Sequence, residues 1–240
     1  KKVKITLPEY YTNILQGKSK VANDARTYLK GRGYDLVKLG RVYQIGYIRD
    51  VSNKGNKYGY IVIPFFDLMG DLIYYQLRGL YSYHSRWDNP STEDLGYGKE
   101  RILYNPSALW TEDTDYAFVH EGVTDALTTG GAGTLGLVLS EYHIDTIKQS
   151  PKDKIYFMYD EGAFNEGLNN AFKCINPRQK IYVIPLEKGE GDPNVLGPVK
   201  CREKLDSAIE VTEEVFNKEK LNMIWEGTKS YRGEGLNIYF

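Results

Sequence analysis

Glu121, Asp125, Asp160 and Asp192 are the residues of this 240-residue chain whose spacing points to chemistry. Three of them follow apolar runs that read as parallel strands. Glu121 follows Tyr116–His120, Asp160 follows Ile155–Tyr159, and Asp192 lies in the Gly189-Glu190-Gly191-Asp192-Pro193-Asn194 loop beyond Ile181–Pro185. In an open α/β sheet, ligands sit beyond the carboxyl ends of the strands. Asp125 comes four residues after Glu121, one helical turn on and on the same side. Four carboxylates on one edge cannot all stay ionised without cations, because like charges in a partly desolvated site raise one another's pKa values. Mg²⁺ or Mn²⁺ suits such a set, since hard divalent ions take oxygen ligands and are often shared with substrate phosphates. Each acid taken alone is also a plain helix N-cap or loop residue; three at successive strand ends are harder to dismiss. Gly122 fits the site reading, because a small residue there lets backbone and ligand approach closely.

The elements that position these acids begin at about Asp115, where short apolar runs alternate with helical patterns, as in a parallel sheet covered by helices. The predicted strands are the three above and Gly133–Gly136. The predicted helices are Thr124–Thr129, Ser140–Gln149 with Ser140 as N-cap, and Asn165–Ile175. A charged, amphipathic helix is expected over Cys201–Lys220. Upstream, Lys20–Lys30 reads as a helix stopped by Gly31-Arg32-Gly33, and Val42–Ile48 as a strand. Ser52–Lys57 reads as an exposed turn. Tyr58–Phe66 and Leu72–Leu80 form a hairpin around Asp67-Leu68-Met69-Gly70, and Ser82–Lys99 is a long surface loop. The fold class is α+β. A basic N-terminal subdomain with an antiparallel sheet (1–114) precedes a Rossmann-like α/β domain with a parallel sheet (115–200) and a helical C-terminal extension (201–240).

Composition narrows the function classes. Hydrophobic residues make up 41% and charged residues 26%, values of a globular chain large enough to fold without disulfides. No run approaches a membrane span and the lysine-rich start lacks a signal-peptide core, so a cytosolic protein with no membrane partner is expected. The two cysteines, Cys174 and Cys201, are far apart, which argues against a zinc ribbon. The net charge of −1 conceals +9 over residues 1–57 against −4 over 58–114 and −6 over 115–240. A basic front and an acidic back suit one surface facing an anionic polymer and another holding cations, although uneven surface charge without a partner gives the same sums.

These motifs carry a resemblance. Glu121-Gly122-Val123-Thr124-Asp125 resembles the acidic motif that opens a TOPRIM domain, the metal-binding fold of bacterial-type primases, topoisomerases and related nucleases. Thr134-Leu135-Gly136 through Ser140 and His143 is similar to the next segment of that domain, and Gly191-Asp192-Pro193-Asn194 to its distal acidic loop. Upstream, Tyr28-Leu29 to Gly33, Ile45-Gly46-Tyr47, Tyr58-Gly59 to Ile63-Pro64, Gln76-Leu77-Arg78 and Tyr104-Asn105-Pro106 resemble the primase core in order and spacing, from about residue 20 to residue 200. Two features depart from the family. Its middle motif is usually Asp-x-Asp, whereas Asp160-Glu161-Gly162 puts glycine at the second position, leaving Glu161 or Asn194 as compensating ligands or metal binding weakened. The zinc-binding module that normally precedes the core is not in this sequence, which implies an excised core or a variant lacking it.

The resemblance implies a bacterial- or phage-type DNA primase that copies single-stranded DNA into a short RNA primer from ribonucleoside triphosphates, with a replicative helicase as a fitting partner. Glu121, Asp160 and Asp192 are then the catalytic metal ligands and Asp125 a supporting ligand. Arg78 matches a family position facing template or incoming nucleotide, or is an exposed hairpin charge. Lys99 and Arg101 are triphosphate contacts or solvated loop residues. Lys30, Arg32, Lys38, Arg41, Lys54 and Lys57 suit DNA phosphates, and Tyr81, Tyr83 and Trp87 suit unpaired bases. The alternatives are a TOPRIM nuclease, disfavoured by the upstream order, and a non-catalytic nucleic-acid-binding module, favoured by Gly162.

Overall fold

The computed structural model describes residues 5–49, 59–90 and 97–222. The expected turn at 52–57, with Lys54 and Lys57, and the last eighteen residues lie outside the described residues. The first sheet is antiparallel, in the order β1 (Tyr11–Asn13), β2 (Gly46–Ile48), β3 (Tyr60–Phe66), β4 (Leu72–Gly79) and β5 (Trp87–Asp88). Strand β3 is buried on both faces. Ile61, Ile63 and Phe65 point to one side, where α1 (Lys20–Gly31) supplies Val21, Ala22, Ala25 and Leu29 to the same cluster; Tyr60 and Val62 meet Ile48 and Leu77 on the other. The two-residue period of the strand places its alternate side chains in two cores.

Local chemistry sets the ends of these elements. Ser19 caps α1 by accepting from the Ala22 amide at 3.2 Å. The predicted hairpin forms as expected, with Asp67 Oδ1 accepting from the amides of Met69 and Asp71. The strand expected from Val42 shrinks to Gly46–Ile48, because Asp35 accepts from the amides of Val37 and Lys38 and starts a short helix, α2 (Leu36–Arg41).

The second sheet has β6 (Tyr116–His120), β7 (Ala132–Gly133), β8 (Lys154–Phe157) and β9 (Lys180–Val183) parallel and β10 (Ile209–Glu210) at its edge, in the order β10-β9-β8-β6-β7. Helices α3 (Val123–Thr129), α4 (Glu141–Gln149), α5 (Phe164–Lys173) and α6 (Pro193–Glu203) connect or follow them. Val119, Ile155, Phe157 and Val183 pack with Ile144 and Ile147 of α4 and Leu168 and Ala171 of α5, while Phe118, Tyr156 and Met158 pack on the opposite face with Cys201 of α6. Burial on both faces explains why these strands read as unbroken apolar runs. Ser140 caps α4 in a reciprocal box with His143.

Two further expectations are corrected. Strand β7 stops at Gly133, because the Thr134 hydroxyl bonds the carbonyls of His120 and Gly136 and Leu135 takes φ 61°. The single helix expected over Cys201–Lys220 is three elements: the end of α6, strand β10 (Ile209–Glu210) antiparallel to β9, and a helix described over 213–222. The free edge of β9 accepts a strand here, and the Val211 amide donates to the Ile181 carbonyl at 2.7 Å. Among the described residues no helix is long and apolar enough to cross a membrane.

Tyr104 stitches the two halves together. Its amide donates to the Gly133 carbonyl at 2.8 Å and its carbonyl accepts from the Gly133 amide at 3.1 Å. Asn105 takes φ 50°, and its Nδ2 donates to the carbonyls of Gly130 and Gly131, which fixes the turn after α3.

Candidate active site

The acids lie around the ends of the parallel strands, held there by different local devices. Glu121 follows the last residue of β6, and Asp125 sits in the first turn of α3, 5% exposed. Asp125 Oδ1 accepts from the Asn194 amide at 3.2 Å, and its Oδ2 lies 2.8 Å from where a Cβ on Gly122 would stand. Gly122 therefore makes room for the carboxylate of its own motif. Asp160 lies three residues past β8 and is exposed. Asp192 caps α6, accepting from the Val195 amide at 2.7 Å, which leaves its second oxygen free of this duty.

These groups feel one another. Burial first, then Asp160 and Glu166, raises the Glu121 carboxyl. Burial, then Asp160 and Asp192, pushes Asp125 up to about 7. Loss of hydration, then Asp192, raises Asp160, with Arg86 pulling the other way. Among the described residues no three acidic, histidine or cysteine side chains come together closely enough to hold an ion by themselves. The donor set still suits Mg²⁺ or Mn²⁺, which are commonly held by one or two carboxylates with substrate phosphates and water completing the shell.

The Asp125 shift makes stability depend on pH in a stated direction. Below about pH 4 the carboxyl is protonated in both folded and unfolded chains. Between about pH 4 and 7 the unfolded chain releases its proton while the folded one keeps it, so rising pH destabilises the fold. The full penalty, on the order of 4 kcal/mol, is reached above pH 7. Urea titrations in chelator across this range will show the decline, and Asp125→Asn will make it shallower, leaving the share of Glu121 and Asp160. An unchanged profile in the variant would place the coupling elsewhere.

The two residues expected to compensate for Gly162 are engaged otherwise. Glu161 Oε2 accepts from the amides of Gly189 and Gly191 at 2.8 and 3.0 Å and holds the loop before Asp192. Asn194 accepts from Arg32 Nη1 at 2.7 Å and donates to Tyr34 Oη and Thr128 Oγ1, clamping α1 to α3 across the two halves. His120 is buried between the Met158 carbonyl and the Thr129 hydroxyl, where burial lowers its pKa to about 4; it is a packing residue of the sheet, as its position suggests.

The basic residues divide into groups. Arg78 lies on β4 opposite Trp87, with its guanidinium 5.1 Å from the Trp87 ring and 6.0 Å from that of Tyr28. Its Nε is buried without a hydrogen-bond partner, so this arginine is more than a loose hairpin charge. Lys99 and Arg101 are exposed on a short 3₁₀ turn, which the Ser140 hydroxyl ties to the start of α4 by donating to the Glu100 carbonyl. Arg41 is exposed in the last turn of α2. Lys57 lies outside the described residues. Arg86, beside β5, is a basic residue not among the candidates read from the sequence, and its charge acts on Asp160 from the other half of the chain. Tyr81, Tyr83 and His84 form a ring cluster, with His84 stacked on Tyr60 at 4.2 Å.

A five-stranded antiparallel sheet joined to a mainly parallel sheet bearing acids at its strand ends is the architecture of a primase catalytic core. The particular likeness is to DnaG-type cores. A DNA primase domain from Pseudomonas aeruginosa superposes with a TM-score of 0.69 at 21% identity, covering 89% of this chain and 80% of that one. The E. coli primase catalytic core gives 0.67 at 18%, covering 86% and 80%. A DnaG primase catalytic domain bound to single-stranded DNA gives 0.67 at 20%, covering 84% and 76%. No protein-family model and no curated protein matches the chain.

Proposed function

We propose that this chain is a primase catalytic core that joins ribonucleotides on a single-stranded DNA template with the help of Mg²⁺ or Mn²⁺. The observation that carries the reading is the acidic edge, with Asp125 pushed to about 7 by burial and by neighbouring acids, set in the primase-core fold. Such a site is relieved by cations, and divalent ions stabilise charge developing on a leaving pyrophosphate. Glu121, Asp160 and Asp192 are the carboxylates that hold them, Glu121 also being placed to accept the proton of an attacking 3′-hydroxyl. Asp125 orients the set from its buried position. Arg78, Lys99 and Arg101 offer charge to nucleotide phosphates, with Arg86 as a further cation on the Asp160 side. The units proposed are a basic 1–114, a TOPRIM-like 115–200 and a C-terminal 201–240, although β10 joins the last to the second sheet.

A second reading, a nucleic-acid-binding module without catalysis, is favoured by one feature: Gly162 supplies no carboxylate, and Glu161 and Asn194 are already engaged. Incorporation of labelled ribonucleotides on mixed single-stranded DNA with Mg²⁺ or Mn²⁺, with and without a short supplied primer, separates the two. Metal-dependent product supports the polymerase; its absence from a folded, DNA-binding protein overturns it.

Gly162 also permits a gain-of-function test. It has φ 85°, and a Cβ there meets nothing within 4 Å, so an aspartate fits in space. Gly162→Asp will lower stability by about 1 kcal/mol through backbone strain, since aspartate tolerates the left-handed region better than most residues. Added attraction of about 1 kcal/mol will tighten Mn²⁺ binding about fivefold, read by calorimetry. Unchanged affinity would show that position 162 does not face the ions.

A further inference from the structure

A basic cavity of about 730 Å³ lies on the flank where the end of α1, the start of α2, the last turn of α3 and α6 meet. Three cations from three segments line it: Arg32 just past α1, Lys38 in α2 and Arg202 in α6. Lys38 and Arg202 are exposed, and neither forms a side-chain hydrogen bond or ion pair among the described residues. Asp35, the carboxylate in the lining, is occupied as the cap of α2. The lining thus sets one carboxylate against three cations.

A smaller cavity of about 190 Å³, with Asp113 in its lining, shares Thr129, Pro198 and Arg202 with the first. Tyr34 is the aromatic residue of the larger cavity, its hydroxyl donating to the Thr124 carbonyl, and Tyr116 and Phe118 line the smaller one. A groove with spaced cations from three segments matches a linear polyanion gripped by its phosphates, without sequence readout. Asn194 separates it from the acids, bonding Asp125 through its amide and Arg32 through its side chain.

We propose that this groove binds the sugar-phosphate backbone of a nucleic-acid single strand, through Arg32, Lys38 and Arg202, outside the acidic edge. The proposal rests on the nucleic-acid reading above but not on catalysis, and it adds a contact from the acidic second half, Arg202, that charge segregation along the chain hides. The test is anisotropy of fluorescein-labelled oligothymidylate of about 20 nucleotides with the whole chain and with Lys38→Ala plus Arg202→Ala. Both side chains are exposed, so the variant folds, as circular dichroism will verify. Loss of two phosphate contacts will weaken binding about tenfold at about 0.15 M salt and make the log–log salt slope shallower by about 1.4. That result supports the groove whether or not the protein incorporates ribonucleotides, so the two readings fail separately. Equal affinity and slope in the double variant overturn it. So does a polyglutamate peptide that binds as tightly as the oligonucleotide and suffers the same loss, since the groove then takes an acidic protein segment.

Discussion

Replacing Glu121 by Gln will reduce metal-dependent ribonucleotide incorporation by about 10³-fold, the scale expected when one group that stabilises transition-state charge is removed. The substitution keeps size and shape and deletes only the ability to be charged. Glu121 follows directly on β6, whose residues Ala117 to His120 are buried, so the backbone that carries it stays fixed. Its raised carboxyl shows that the charge is already disfavoured without a cation, and the amide removes that unfavourable charge. The variant will therefore be at least as stable as the parent in chelator above pH 5, while oligonucleotide binding is unchanged. Initial rates at saturating Mn²⁺ provide the measurement. A rate within tenfold of the parent would remove Glu121 from the reaction and with it the assignment of the acidic edge.

Tyr104→Ala will cost about 3–5 kcal/mol, the range for truncating a large buried aromatic side chain. Tyr104 is 2% exposed; its ring stands edge-on to Phe65 at 4.9 Å and tilted to Tyr43 at 6.4 Å. It belongs to a cluster that joins α1, the first sheet and Val123, Ala126 and Leu127 of α3, so a cavity there is felt in both halves. Tyr104→Phe separates the ring from its hydroxyl. That hydroxyl is buried without a partner, so its removal will change stability by no more than about 1 kcal/mol, in the stabilising direction. Urea midpoints at constant m-value will report both. A loss for the Phe variant as large as for Ala would show that the hydroxyl is bonded in solution.

The sequence by itself determined the α+β class, the two contrasting sheets and the placing of Glu121, Asp125, Asp160 and Asp192 beside strand ends. The reason is that strands buried on both faces read as apolar runs, and residues that follow them fall at the sheet's ligand-binding edge. Local polar chemistry was legible too, in Ser140 capping α4 and Asp67 closing the hairpin. Tertiary structure decided the rest, because each remaining feature depends on partners far apart in the chain. Glu161 and Asn194 look like spare ligands until the loop at 189–191 and Arg32 are seen to occupy them. Residues 201–220 carry a helical pattern, yet the unpaired edge of β9 draws 209–210 into the sheet, where backbone hydrogen bonding outweighs local preference. Arg86 acts on Asp160 from the other half of the chain, and Arg202 joins Arg32 and Lys38 through packing of α6 beside α3. Charge counted along the chain could not show either arrangement, since electrostatic energy depends on distance in space and not on separation in sequence.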